Sequence, residues 1–506
     1  MAGPGRIIGC GCRGNVGPQR HDFRASSGVQ AGRILGAPSD QSITMLRAAT
    51  CLAMLLCCLP VEGAAAVAER FTPCADIADF PELAGSQCLT TSVPLRHAAA
   101  DGASLALFVR RFPAAEPARR RGEIWLVAGG PGEAGASFHP LLATLRRAFP
   151  QHDLVVPDHR GTGGSERLCP KQEAPDSADG VALAGDEWGP CIGALYADQA
   201  RTTAFTITEA AHDLSTLIAR HRGEGDVLVY GVSYGTQLAL RMLLAAPQPL
   251  DGLILDGLVP PETAPQWDLS HRTAVVDEVG QAFLGEADLA AYRHLLASAG
   301  AEPAWREHVP GGDLRRFFGT LLNFPALAAR IPAIVAELDT GRLTTLQATI
   351  VDLRATTAGM TRHPLSRPAL PLVMLISASE NNARPGLNKA VVDAEARDAL
   401  FTSAIPGFLV DAPVPTYPRD AWFGRMPAVL PRTLVIHGTL DPNTPYAGAQ
   451  AHAALLAAAG PVSLSTVERG AHMLSFVAPH CFVAAASAFV AQAPVPARCS
   501  EPDHAQ

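Results

Sequence analysis

Gly231-Val232-Ser233-Tyr234-Gly235 carries the sharpest chemical signal in the chain. An apolar, strand-like run (226–230) precedes it and a helical pattern (234–246) follows. A tight strand-to-helix turn would hold Ser233 in a strained backbone conformation, and glycines at 231 and 235 would leave room for it. The hydroxyl then stands clear of the turn as a nucleophile, and the Tyr234 N–H, at the helix start, faces a developing oxyanion. The chemistry this suits is attack on an acyl carbon. A serine hydroxyl needs a general base and a group that orients the base. His472, in Glu468-Arg469-Gly470-Ala471-His472, follows the apolar run 462–467, and Asp441, in His437-Gly438-Thr439-Leu440-Asp441-Pro442, follows 433–437. Both fall at the C-terminal ends of strands, on the same face as Ser233, in the order Ser, Asp, His. Asp256 ends the run 253–255 on that face and is the competing orienter.

A second set of glycines, Gly129-Gly130-Pro131-Gly132, directly follows the apolar run 123–128. Backbone N–H groups without side chains approach a substrate closely. Pro131 has no N–H to offer, so Gly130 is the second oxyanion donor expected. A phosphate cradle would need a following Lys and Ser/Thr, or a full G-x-G-x-x-G, and neither is present. Serine at 233 argues against epoxide hydrolases and dehalogenases, which want aspartate there. No cysteine pair has the CxxC or Cys/His spacing of a structural zinc site. No metal and no other cofactor is expected.

The elements that must position these residues alternate. Strand-like runs at 103–111, 123–128, 153–157, 226–230, 253–255, 433–437 and 462–467 interleave with helical patterns at 138–149, 206–220, 234–246, 446–459 and 474–491. Short apolar strands without strict alternation predict an α/β fold, with a mostly parallel sheet covered by helices on both faces. Loops at the C-terminal strand ends then carry the chemistry. The stretch 166–200 is rich in Pro, Gly and Asp and reads as a loop excursion. Between 261 and 425 helical patterns dominate, at 271–283, 287–299, 312–322, 325–338, 343–358 and 388–401, with one strand-like exception at 370–377. This is a mainly helical cap inserted in the second half. It divides the core into a first part, 69–260, and a C-terminal part, 426–506, that brings the Asp and the His.

The front of the chain reads differently. Residues 1–44 are rich in Gly and Arg without periodicity, an expected non-native or disordered extension, with Met45 the expected start. Residues 45–68 have Arg47, a short apolar run and Ala64-Ala65-Ala66, the pattern of a signal peptide. The apolar run is short for a membrane span. Of the 11 cysteines, Cys74, Cys88, Cys169, Cys191, Cys481 and Cys499 follow this segment. An even number suits an oxidising compartment. Pairing nearest neighbours would give 74–88, 169–191 and 481–499, one of several possible connectivities. The expected location is periplasmic or extracellular, without stable membrane insertion.

Composition agrees with a large folded protein. Apolar residues make up 48% and the net charge is −8, which supplies a sizeable core and excludes a basic nucleic-acid binder. A monomer is expected.

At these residues the chain resembles the secreted tripeptidyl aminopeptidase and proline iminopeptidase group, serine peptidases of the α/β-hydrolase fold. The resemblance rests on the Gly-Gly-Pro-Gly loop (129–132) and on Asp158, Arg160, Gly161, Gly163 and Ser165 after the next strand. It also rests on the 231–235 turn, on Gly438, Thr439, Asp441, Pro442, Thr444 and Pro445, and on Gly470 with His472. It covers roughly 70–500 and is weakest through 261–425. It implies an exported aminopeptidase that cleaves short peptides or aminoacyl substrates from a free N-terminus by acyl-enzyme chemistry. It also implies a terminal disulfide between Cys481 and Cys499 and acidic cap residues beside the substrate ammonium, of which Glu380 is the first choice. Ala128 stands where proline iminopeptidases usually carry His. The alternative is an exported carboxylesterase or lipase with the same Ser, Asp and His. A binding protein that kept only the fold would be expected to have lost one of the three.

Overall fold

A computed structural model describes residues 69–502, apart from 179, 182, 184, 301 and 302. The proposed extension and signal segment, 1–68, lie outside the described residues. Ten strands form one sheet: β1 (Thr72–Pro73), β2 (Gln87–Pro94), β3 (Ser104–Phe112), β4 (Gly122–Val127), β5 (His152–Pro157), β6 (Asp226–Val232), β7 (Gly252–Asp256), β8 (Thr433–Gly438), β9 (Val462–Glu468) and β10 (Arg498–Ser500). Their order is β1-β2-β3-β5-β4-β6-β7-β8-β9-β10. The pairs β1–β2, β2–β3 and β3–β5 are antiparallel, and all others are parallel.

Strands β4, β5, β7 and β8 are buried along their whole length, as parallel strands covered on both faces must be. Side chains still alternate between the faces. Trp125, Val127, Val229, Leu253, Leu255 and Val435 pack with the helices Ile207–His221 and Tyr234–Ala245. Ile124, Leu126, Leu228, Tyr230, Ile254 and Ile436 pack with Leu142–Ala148 and Pro479–Val490. Disulfides join Cys74 to Cys88, Cys169 to Cys191 and Cys481 to Cys499. The last fastens the helix Pro479–Val490 to β10.

The chain leaves the sheet after β7 and returns at β8, its hydrogen-bonded neighbour. The helices between them bury a third apolar cluster around Tyr292, Phe318 and Phe401. This is an α/β-hydrolase fold with a helical region inserted in its second half.

Three expectations need correction. The run expected as a strand at 370–377 is the helix Leu370–Ser379. A short, uniformly apolar run has no period to distinguish the two states, and here Leu372, Leu375 and Ile376, spaced three and four apart, supply the buried face. The excursion at 166–200 is partly helical, with Trp188–Ala197 and Gln199–Thr202. Pro190 stands in the first turn of Trp188–Ala197, where proline is tolerated. Prolines also divide two expected helices, giving Pro325–Ala328 with Ile331–Asp339 and Leu474–Val477 with Pro479–Val490.

Candidate active site

Ser233 sits between β6 and the helix Tyr234–Ala245 with φ 55° and ψ −125°. This is a backbone region that side-chain-bearing residues rarely occupy. The neighbouring glycines make the turn possible. A Cβ on Gly231 would lie 2.5 Å from the Gly235 carbonyl oxygen, and one on Gly235 would lie 2.2 Å from that of Val127. The Ser233 N–H donates to the Asp256 carbonyl at 2.9 Å, which ties the turn to β7.

The Gly-Gly-Pro-Gly loop leaves the adjacent strand β4. Gly130 has φ 110°, and a Cβ there would meet the Gly132 nitrogen at 2.2 Å. Gly130, Ser233 and Tyr234 line one cavity of about 430 Å³. Two contacts brace the loop. The Ala369 N–H, just before the helix Leu370–Ser379, donates to the Gly132 carbonyl at 2.9 Å. Asp158 accepts the Gly135 N–H at 2.6 Å and the Gly164 N–H at 2.8 Å, linking the loops after β4 and β5. Burial pushes the Asp158 carboxyl up to about 6 against these hydrogen bonds. Arg160 faces inward, where its guanidinium grips Asp213 through two contacts of 2.7 Å.

Asp441 and His472 meet across the ends of β8 and β9, with Oδ2 to Nδ1 at 2.7 Å. The Asp441 carboxylate also accepts the N–H groups of Asn443 and Thr444 and the Thr444 hydroxyl, each at 2.8 Å. Burial opposes its charge, but His472 and these donors outweigh that and hold the carboxyl well below its usual range. Burial likewise pushes the His472 imidazole down, and the Asp441 carboxylate more than compensates, so the imidazole is raised. Among the described residues the Ser233 hydroxyl has no hydrogen bond to His472. Such contacts often tighten only with substrate in place. Both approach the end of β7. Ser233 bonds the carbonyl of Asp256, and a Cβ on the next residue, Gly257, would lie 3.0 Å from the His472 ring.

Asp256 does not contact the imidazole through a hydrogen bond. Its carboxylate accepts the N–H groups of Leu474 and Ser475 at 3.0 and 3.1 Å and the Tyr230 hydroxyl at 2.8 Å. It holds the segment just after His472 against the sheet.

Glu380 is 3% exposed and lines the cavity. It accepts from the Tyr417 hydroxyl at 2.9 Å and lies 3.1 Å from Arg241. Burial raises its carboxyl, with Arg241 pulling the other way. Glu262, at 2.7 Å, and Asp420, at 3.7 Å, face the same guanidinium. Motif reading missed Glu262, Arg241 and Tyr417, which belong to no short pattern and meet only in the folded chain. It included Thr444 as part of a motif without the two hydrogen bonds that seat Asp441.

Residues 124–285 match the family model for the alpha/beta hydrolase fold, and residues 412–502 match that of TAP-like protein. Serine protease Hip1 of Mycobacterium tuberculosis and of Mycobacterium bovis is 28% identical over 242 residues, 43% of this chain. The match spans 46% of the length of those relatives. Among solved structures, a thermophilic esterase from Thermogutta terrifontis is 14% identical, with TM-score 0.35, over 80% of this chain and 98% of that one. A hydrolase from Pseudomonas aeruginosa is 16% identical, with TM-score 0.33, over 84% and 99%. The chain has the α/β-hydrolase fold and, over less than half of its length, is distantly similar to these serine proteases. Among the described residues no helix is long and apolar enough to cross a membrane.

Proposed function

We propose that the protein is an exported serine hydrolase of aminopeptidase type, acting on short substrates with a free amine. The observation that carries the hydrolytic part is the Asp441–His472 pair, held at 2.7 Å beside the strained Ser233 turn. In this reading His472 takes the Ser233 proton as the hydroxyl attacks the scissile carbonyl. Asp441 fixes the imidazole so that Nδ1–H points to the carboxylate and Nε2 remains the base. The N–H groups of Gly130 and Tyr234 receive the oxyanion. His472 then protonates the leaving group, and water repeats the sequence on the acyl-enzyme.

The amine preference is supported by charge. Glu262 and Glu380 both line the cavity and share the one guanidinium of Arg241, which puts two carboxylates on one side of it. The three disulfides support an oxidising compartment. A second reading, a carboxylesterase, is favoured by the apolar wall of Val259, Pro260, Pro261, Trp267 and Leu269 in the same cavity. Aminoacyl-arylamides and short-chain aryl esters separate the two. Hydrolysis of the arylamide, abolished by acetylating its amine and by Ser233→Ala, supports the first reading. Turnover of esters alone, indifferent to a free amine, supports the second.

A further inference from the structure

Five arginines are buried among the described residues: Arg110, Arg160, Arg167, Arg241 and Arg272. The first four are each ion-paired, with Asp76, Asp213, Glu173, and Glu262 plus Glu380. Arg272 is the exception. It is 8% exposed, lines the cavity with Ser233, Asn443 and Thr444, and forms no ion pair among the described residues. Its one side-chain partner is neutral: Nη1 donates to the Asn443 Oδ1 at 2.8 Å. Its Nε is buried without a partner. The nearest acidic groups are already engaged. Asp441 is occupied by His472, Asn443 and Thr444, and Asp268 by Ser270, His271 and Ala383. A buried cation without a counter-ion is unfavourable unless something else pairs with it. Burial lowers this guanidinium to about 10 even with Asp441 and Asp268 acting at longer range.

The other cavity cation, Arg419, offers no equivalent. It is exposed, stacks on Phe423 and donates to the carbonyls of Glu380 and Asn382. Arg272 therefore stands as a donor fork without an anion, next to the Asp441 loop and within electrostatic reach of His472. In the proposed reaction His472 serves the leaving group, so the part of a substrate that departs passes Arg272. A guanidinium recognises a planar carboxylate through two parallel N–H···O bonds. One extended residue spans about 3.5 Å, so a C-terminal carboxylate one or two residues beyond the scissile bond falls within such a cavity.

We propose that Arg272 is a specificity-determining residue that binds the carboxylate of the leaving portion, which selects short peptides with an unblocked C-terminus. This rests on the serine-hydrolase reading above. Together with the acidic wall, it makes the cavity two-signed, suited to a zwitterion.

The test compares kcat/KM for a tripeptide and its C-terminal amide, on the wild-type protein, Arg272→Met and Arg272→Lys. A parallel pair of aryl esters, 4-acetoxybenzoate and 4-acetoxybenzamide, puts the carboxylate on the leaving group without a peptide bond. The wild type is expected to favour the carboxylate form about 10-fold or more, the size of one charge-assisted hydrogen-bond contribution. In Arg272→Met that ratio should fall toward 1, and in Arg272→Lys it should be reduced but kept. Should Arg272→Met fail to fold, the wild-type ratio and the lysine variant decide. Equal cleavage of acid and amide by the wild type overturns the proposal, as does an equal loss on both forms in Arg272→Met. Cleavage of the esters with the expected ratio, and of neither peptide, keeps Arg272 and rejects the peptidase reading. Loss of all turnover only in Ser233→Ala leaves the shared chemistry intact.

Discussion

Asp441 reaches His472 side chain to side chain, at 2.7 Å, whereas Asp256, on the next strand, takes the backbone N–H groups two and three residues past the imidazole. Two buried carboxylates thus serve one histidine differently. One faces the ring and the other anchors the chain that carries it.

The first consequence is a pH profile. In the proposed reaction a protonated imidazole cannot accept the Ser233 proton, so kcat/KM is expected to rise as His472 loses its proton. The Asp441 contact raises the imidazole above its ordinary 6.5 despite burial, which places the midpoint of the acid limb above that value. Asp441→Asn should move the midpoint down and cost about 10⁴ in kcat. An unchanged acid limb in that variant would count against the pairing.

Asp256→Asn separates the two carboxylates. Asparagine cannot accept from both N–H groups and the Tyr230 hydroxyl, so a buried donor loses its partner, at about 1–3 kcal/mol. Denaturant titration should show that loss, with a fall in kcat far smaller than for Asp441→Asn. A drop of the same size in both would make Asp256 the orienter.

Gly130→Ala tests the oxyanion loop. The added methyl would meet the Gly132 nitrogen at 2.2 Å, so the loop must move. Loss of one oxyanion donor costs about 10²–10³ in kcat, and KM should change little. Steady-state kinetics with circular dichroism to monitor folding checks this. Full activity would remove Gly130 from the role.

The acidic wall divides by exposure, since both carboxylates face Arg241 but the Glu262 side chain is 14% exposed and that of Glu380 only 2%. Glu262→Gln should narrow the preference for free-amine over acetylated substrate, by about tenfold if one charge contact is lost. Glu380→Gln instead breaks a buried pair with Arg241 and should appear chiefly as a stability loss of about 3 kcal/mol. Substrate panels and thermal unfolding on both variants read this. The reverse assignment would make Glu380 the amine contact.

What the sequence revealed depended on how local the cause was. The 231–235 turn, the 129–132 loop and the strands around them were legible because backbone sterics write them as glycines beside apolar runs. The helix at 370–379 was not, since Leu370 to Ile376 is apolar on every side and only the burial of Leu372, Leu375 and Ile376 in the folded core decides its state. Glu380 was legible as a carboxylate near the site. Its engagement with Arg241 and Tyr417 was not, because those partners come from distant segments. Arg272 had no local signal at all, for an arginine opening an amphipathic helix usually faces water.

The helical insert departs from and rejoins strands that are already hydrogen-bonded to each other, Leu253 opposite Thr433. Its two ends are therefore stapled side by side, whatever lies between them. Length and sequence there are free to drift, and with them the choice of substrate. The registers that bring Ser233, Asp441 and His472 to one edge need not shift by a single residue.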